Sequence, residues 1–162
     1  MGSDRTRILI VAALLSVGPT MAQEPGWHYS PLPGEGDRAT LGCDRDATQD
    51  EFTCLAVRCE DDYSAGIHIF TSRAVADGTW EMTLDRENRS AVVQSGVGPY
   101  GGRFSADEAW LLERLQQGTF VYLRHVDDSA APFRFIALTG SLYAINAALA
   151  WCAPRVDRKS VV

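Results

Sequence analysis

The chain has 162 residues, 46% of them hydrophobic, and a formal net charge of −6. A single domain of that length buries about 68–70% of its unfolded surface. The acidic balance argues against nucleic acid, whose capture depends on clustered Lys and Arg, and equally against a polybasic membrane anchor.

Taken in chain order, the first element is an export signal. Arg5 and Arg7 precede the apolar run 8–17, Gly18 and Pro19 break it, and Thr20-Met21-Ala22 puts small residues at −3 and −1 of a cleavage site. Residues 1–22 therefore predict a signal peptide, because the run is too short for a bilayer core that needs about 20 residues. The expected destination is the periplasm or beyond, with no transmembrane segment in the mature chain. Residues 23–37, rich in Pro and Gly, predict an extended lead-in whose Trp27 and Tyr29 tuck against the body.

Residues 38–154 predict one mainly β domain. Short runs with period-two patterning predict strands over 38–43, 52–59, 66–71, 79–85 and 91–94. The clearest is 79–85, where Trp80, Met82 and Leu84 alternate with Glu81, Thr83 and Asp85. Glu87-Asn88-Arg89 reads as the turn after it. Ser105-Ala106-Asp107-Glu108 has the form of a capping box, and Ala109, Leu111, Leu112 and Leu115 follow on one side of a helix that Gly118 stops. Strands resume over 119–125 and 133–138. Ser141 then caps a second helix with Leu142, Ile145, Leu149 and Cys152 on one stripe, and 155–162 is a polar tail. Short strands near ten-residue spacing, with two short helices, predict an antiparallel β-sandwich or curled sheet.

Four cysteines behind a signal peptide read as two disulfides; Cys54 and Cys59 lack the close spacing of a zinc knuckle. On one strand they lie roughly 16 Å apart on opposite faces, too far to bridge. Cys59 shares the face of Leu55 and Val57, and Cys152 continues the helix stripe. Cys59–Cys152 is therefore expected to staple the C-terminal helix to the sheet, with Cys43–Cys54 closing the hairpin before it.

The closing segment, Phe133-x-Phe135-x-x-Leu138-x-Gly140-Ser141-x-x-Ala144-x-x-Ala147 ending at Cys152, resembles the C-terminus of small exported alphaproteobacterial proteins, of which the invasion-associated locus B family is the named example. The likeness covers about thirty residues and is one of packing. It implies a β-sandwich and an accessory role in the cell envelope, and it brings no catalytic residue. The absence of a cysteine between Cys59 and Cys152 departs from the family's usual distribution.

No cofactor or metal site is expected. Gly96, Gly98 and Gly101 formally match a dinucleotide loop, but Pro99 interrupts it and no helix opens directly behind it. The acidic clusters around Asp44–Asp46 and Glu60–Asp62 lack the order of an EF-hand and read as solvated loops. Ser95, Gly96, Gly98, Tyr100 and Gly101 instead form the expected partner-contact loop, exposed, with Tyr100 as its anchor. The sequence reads as a non-enzymatic periplasmic or envelope accessory protein that binds a protein or another envelope component. Two alternatives stand beside it. One is a lysozyme-inhibitor-like protein, since Ser95-Gly96 followed by Tyr100 resembles the loop such inhibitors insert into an active site. The other is a small periplasmic hydrolase, which requires a cleft where His68 or His125 meets a carboxylate and a serine.

Overall fold

A computed structural model of the chain describes residues 26–29, 39–96, 100–106, 108–128, 130 and 132–153. The expected signal peptide and polar tail lie outside these residues, as does most of the lead-in. The described elements are β1 (Gly26–Tyr29), β2 (Thr40–Cys43), β3 (Thr53–Cys59), β4 (Ala65–Thr71), β5 (Gly78–Leu84), β6 (Glu87–Ser95), β7 (Gly102–Phe104), α1 (Glu108–Gln117), β8 (Phe120–His125), β9 (Arg134–Ala137) and α2 (Ser141–Leu149). A 3₁₀ turn, Ala150–Cys152, ends the described chain. The protein is thus mainly β, with two short helices, one of them C-terminal.

All the strands join one antiparallel sheet in the order β1-β2-β3-β4-β7-β6-β5-β8-β9. The two ends of the sheet meet: the amide of Arg45, just beyond β2, donates to the carbonyl of Phe135 on β9 at 2.8 Å. Of the two expected architectures, the curled sheet is the one formed. Alternation explains it. Leu55 and Val57, Ile67 and Ile69, Trp80, Met82 and Leu84, and Val121 and Leu123 all point inward to one core. Each such side chain contributes about 1.5–3 kcal/mol on burial. Leu111 and Leu115 of α1 and Ile145 of α2 enter the same core, and the helices are tied by a Gln116–Asn146 hydrogen bond of 2.9 Å. A second, smaller cluster (Ala39, Leu41, Cys43, Cys54, Ala56, Tyr100) covers the outer side of β2 and β3.

Both disulfides, Cys43–Cys54 and Cys59–Cys152, are present. Two disulfides suit an oxidising environment, and no described helix is long and apolar enough to cross a membrane.

Several local expectations are corrected. The hairpin after β5 turns at Asp85 and Arg86, not at 87–89, and Asn88 pairs with Thr83 inside the ladder. Asp85 adopts φ 51° and its carboxylate accepts the amide of Thr119 at 2.9 Å, which holds that turn in place. The capping box does not form: the hydroxyl of Ser105 donates to the carbonyl of Val92, and Glu108 reaches Arg103. Ser141 is the first residue of α2 rather than its cap, because Gly140 takes the capping position at φ 84°. The buried stripe of α2 is Ser141, Ala144, Ile145 and Ala148; Leu142 lies off it and is exposed. Small residues on that stripe let the helix sit close to the sheet. Within the lead-in, residues 26–29 form a strand, and Trp27 is buried as expected.

Candidate functional site

The two histidines of which a hydrolase would need one occupy different places. His68, on the outer side of β4, is 1% exposed. Its Nε2 lies 2.6 Å from Oε1 of Glu60, while its Nδ1 is buried with no hydrogen-bond partner. The proton therefore belongs on Nε2, since a proton on Nδ1 would bury an unsatisfied donor. Burial holds the pKa of His68 below the ordinary histidine value, against the upward pull of Glu60. Glu60 is matched in turn by Arg58 at 3.6 Å. The group is a closed structural cluster.

His125, at the end of β8, lines a cleft of about 300 Å³ together with Phe52, Arg73, Trp80, Arg124 and Arg134. Its ring stands edge-on to Trp80, its cross-strand neighbour, with centroids 5.3 Å apart. Its Nδ1 accepts the amide of Asp127 at 3.2 Å. Nε2 is buried against Gly78, where an added Cβ would come within 2.4 Å of it. Nδ1 is thus occupied by a backbone amide and Nε2 is enclosed. Two arginines of the cleft are committed: Arg134 pairs with Glu51, and Arg124 with Glu81 at 2.7 Å. The pairing with Arg134 holds the carboxyl of Glu51 below the usual carboxylate range.

The expected contact loop is corrected at its anchor. Tyr100 is fully buried. It packs edge-on to Phe70 at 6.3 Å and beside His68 at 6.0 Å, with the guanidinium of Arg58 over its ring at 5.6 Å. The apolar outer side of β2–β4 needs a cover, and Tyr100 supplies it. Gly101 makes this possible: it adopts φ 77° and lies so near Ile69 that a Cβ would meet the carbonyl of that residue at 2.5 Å. Ser95 and Gly102 are paired across β6 and β7, so the glycine-rich segment links neighbouring antiparallel strands and opens no helix. Gly96 is exposed at the end of β6, and Gly98 lies outside the described residues. A buried Tyr100 also removes the residue that would enter an enzyme's active site in the inhibitor-like reading. Two members of the acidic clusters are spent on the fold. Asp44 is buried and accepts the amides of Thr53 and Asp46, and Asp62 accepts from Ser64. Among the described residues no group of three or more His, Cys, Asp or Glu side chains could hold a metal ion.

The surface that sequence reasoning missed is the outer face of β6-β5-β8-β9. Ladder register lines up Asn88, Thr83, Tyr122 and Phe135 across the four strands, and Ser90, Glu81 and Arg124 in the next row. Phe133 reaches the second row, with the guanidinium of Arg124 over its ring at 4.3 Å. Tyr122, Phe120 and Phe135 touch one another, with centroids 5.0 to 5.8 Å apart. Tyr122 and Phe133 remain 38% and 41% exposed. The clue in the sequence was the opposite parity of β8, where Phe120 and Tyr122 alternate with the core residues Val121 and Leu123. Comparison with protein-family models, with curated proteins and with solved structures finds no match to this chain.

Proposed function

We propose that this chain is an exported, non-catalytic envelope protein that binds its partner through the outer face of β6-β5-β8-β9. The observation that carries the reading is the group of aromatic side chains on this face, of which Tyr122 on β8 and Phe133, just before β9, are left in solvent. Cross-strand aromatic contacts add only about 0.2–1 kcal/mol each to a sheet, which leaves the exposed area without a folding role. Contiguous exposed apolar area on a soluble domain marks an interaction surface. Three of the four strands, β6, β5 and β8, are held on both sides by ladder hydrogen bonds, so binding would cost little ordering entropy. The N-terminal pattern, the two disulfides and the C-terminal likeness to exported envelope proteins support the location. The closed surroundings of His68 and the occupied Nδ1 of His125 favour binding over hydrolysis.

The test compares the wild-type chain with the Tyr122→Ala/Phe133→Ala double variant for association with a washed envelope fraction. Wild type is expected to be retained and the double variant released. Equal retention would refute the assigned face. Export is tested separately: protein recovered from the periplasm should begin at Gln23, and an intact Met1 would refute it.

A further inference from the structure

We propose that this outer face binds a neutral glycan strand containing N-acetylhexosamine, laid across the strands with sugar rings on the aromatics. The proposal rests on the binding-protein reading above and adds the ligand class. Three features of the face lead to it.

The first is how the face divides. One half is aromatic (Phe120, Tyr122, Phe133, Phe135) and the other is polar (Glu81, Thr83, Asn88, Ser90); the ladder register joins Asn88 and Thr83 to Tyr122 and Phe135 in one row, and Arg124 links Ser90 and Glu81 to Phe133 beside it. Three inter-strand steps make the first row roughly 14 Å long, long enough for a short oligosaccharide. A pyranose ring with equatorial substituents has two flat faces of C–H bonds and a rim of hydroxyls. It therefore needs an aromatic surface beneath the ring and hydrogen-bonding groups beside it. A purely apolar peptide would leave the polar half unmatched.

The second is charge. The whole chain carries −6, yet on this face Glu81 and Arg124 neutralise each other at 2.7 Å. Arg45 and Arg89, at its margins, lie over the rings of Phe135 and Trp110. An uncharged polymer complements such a face better than a phosphorylated one or a basic segment.

The third is the recess of about 390 Å³ lined by Glu81, Met82, Thr83, Asn88, Ser90 and Phe133, together with the margin residue Arg89. The hydroxyl of Thr83 donates to Oδ1 of Asn88 at 2.7 Å, which leaves the amide hydrogens of Asn88 to donate outward. An acetamido group needs a donor for its carbonyl, an acceptor for its N–H and an apolar contact for its methyl. Asn88 or Ser90, the carboxylate of Glu81, and Phe133 supply these three in one recess. A hydroxyl in the same place would leave the apolar contact unused.

The experiment titrates the purified protein with a β-1,4-linked N-acetylglucosamine tetrasaccharide and, in a second arm, with the matching glucose tetrasaccharide. The N-acetylated sugar should bind, and the glucose sugar should bind several-fold more weakly. Tyr122→Ala and Phe133→Ala should each weaken binding by about tenfold. Tyr143→Ala, 80% exposed on α2, should leave it unchanged. Both aromatic positions are on the surface, and thermal melts will verify that the variants fold. No saturable binding of the N-acetylated sugar, or binding indifferent to both aromatic variants, overturns the proposal. So does envelope retention that survives glycan cleavage but is lost when the envelope proteins are digested. In that last case the binding face stands and only the ligand class fails; retention indifferent to the aromatics would remove both.

Discussion

The sulfur of Cys59 on β3 is bonded to that of Cys152, 93 residues further along the chain, and so ties the turn after α2 to the middle strands of the sheet. In the chain-entropy account, closing a loop of that length stabilises by roughly 4–5 kcal/mol, against about 3 kcal/mol for a loop as short as that of Cys43–Cys54. The two bridges also differ in access. Cys43 and Cys54 are fully buried, whereas Cys59 and Cys152 are half-buried. A mild thiol reductant should therefore open Cys59–Cys152 first, and mass spectrometry after alkylation should find labels on Cys59 and Cys152 while the other pair is intact. Cys152→Ser should lower the melting temperature and speed proteolysis after α2. Equal labelling of all four cysteines would contradict the ordering.

The burial of His68 makes stability depend on pH. Burial lowers the pKa of His68 in the folded protein below 6.5. As the pH falls, the unfolded chain takes up the proton first, so stability is full above about 6.5 and declines from there down to the folded pKa. Glu51, Asp62 and Asp77 are lowered by hydrogen bonds from Arg134, Ser64 and Ser95. Their contributions are lost only at the more acidic carboxylate range. Between about pH 7.5 and about pH 5.5 the unfolding midpoint should fall for the wild type and fall less for His68→Gln. Parallel profiles would assign the slope to another group.

Gly42 lies beneath the ring of Trp27. The two residues face each other across β1 and β2, and a Cβ on Gly42 would come within 2.1 Å of the indole. Gly42→Ala should displace Trp27, destabilise the fold by about 1–3 kcal/mol as overpacking does, and shift tryptophan emission to the red. Unchanged emission and stability would show that the strand pair can yield.

Tyr100 fills the outer cluster between β3, β4 and the segment leading into β7. Tyr100→Ala should cost about 3–5 kcal/mol, the range for deleting a buried aromatic ring, and should be visible in a denaturant melt. Tyr122→Ala, in contrast, should change stability by less than about 1 kcal/mol. If the two variants melted alike, the assignment of one tyrosine to packing and the other to the surface would fail.

Most of the ladder was legible because alternation is a local property. β3, β4, β5 and β8 lie within a residue or so of their expected positions, and the opposed parity of Cys54 and Cys59 already forbade a bond between them. β1 and β7 were not legible: four residues and three residues carry no measurable period, and they are strands only because β2, and β4 with β6, supply their partners. The turn at Asp85 was misread for a related reason. Asn88 is the better turn residue by local preference, but Ala91 and Val93 must face the core, and that parity sets the register. Disulfide pairing is written in the order of residues along the chain, and there the sequence by itself was enough. Whether a tyrosine anchors a loop or fills a core depends on which apolar face lies opposite it. Strand order alone decides that, by placing β7 between β4 and β6, so that Tyr100 is buried against the outer side of β2–β4 and Tyr122 is left in solvent.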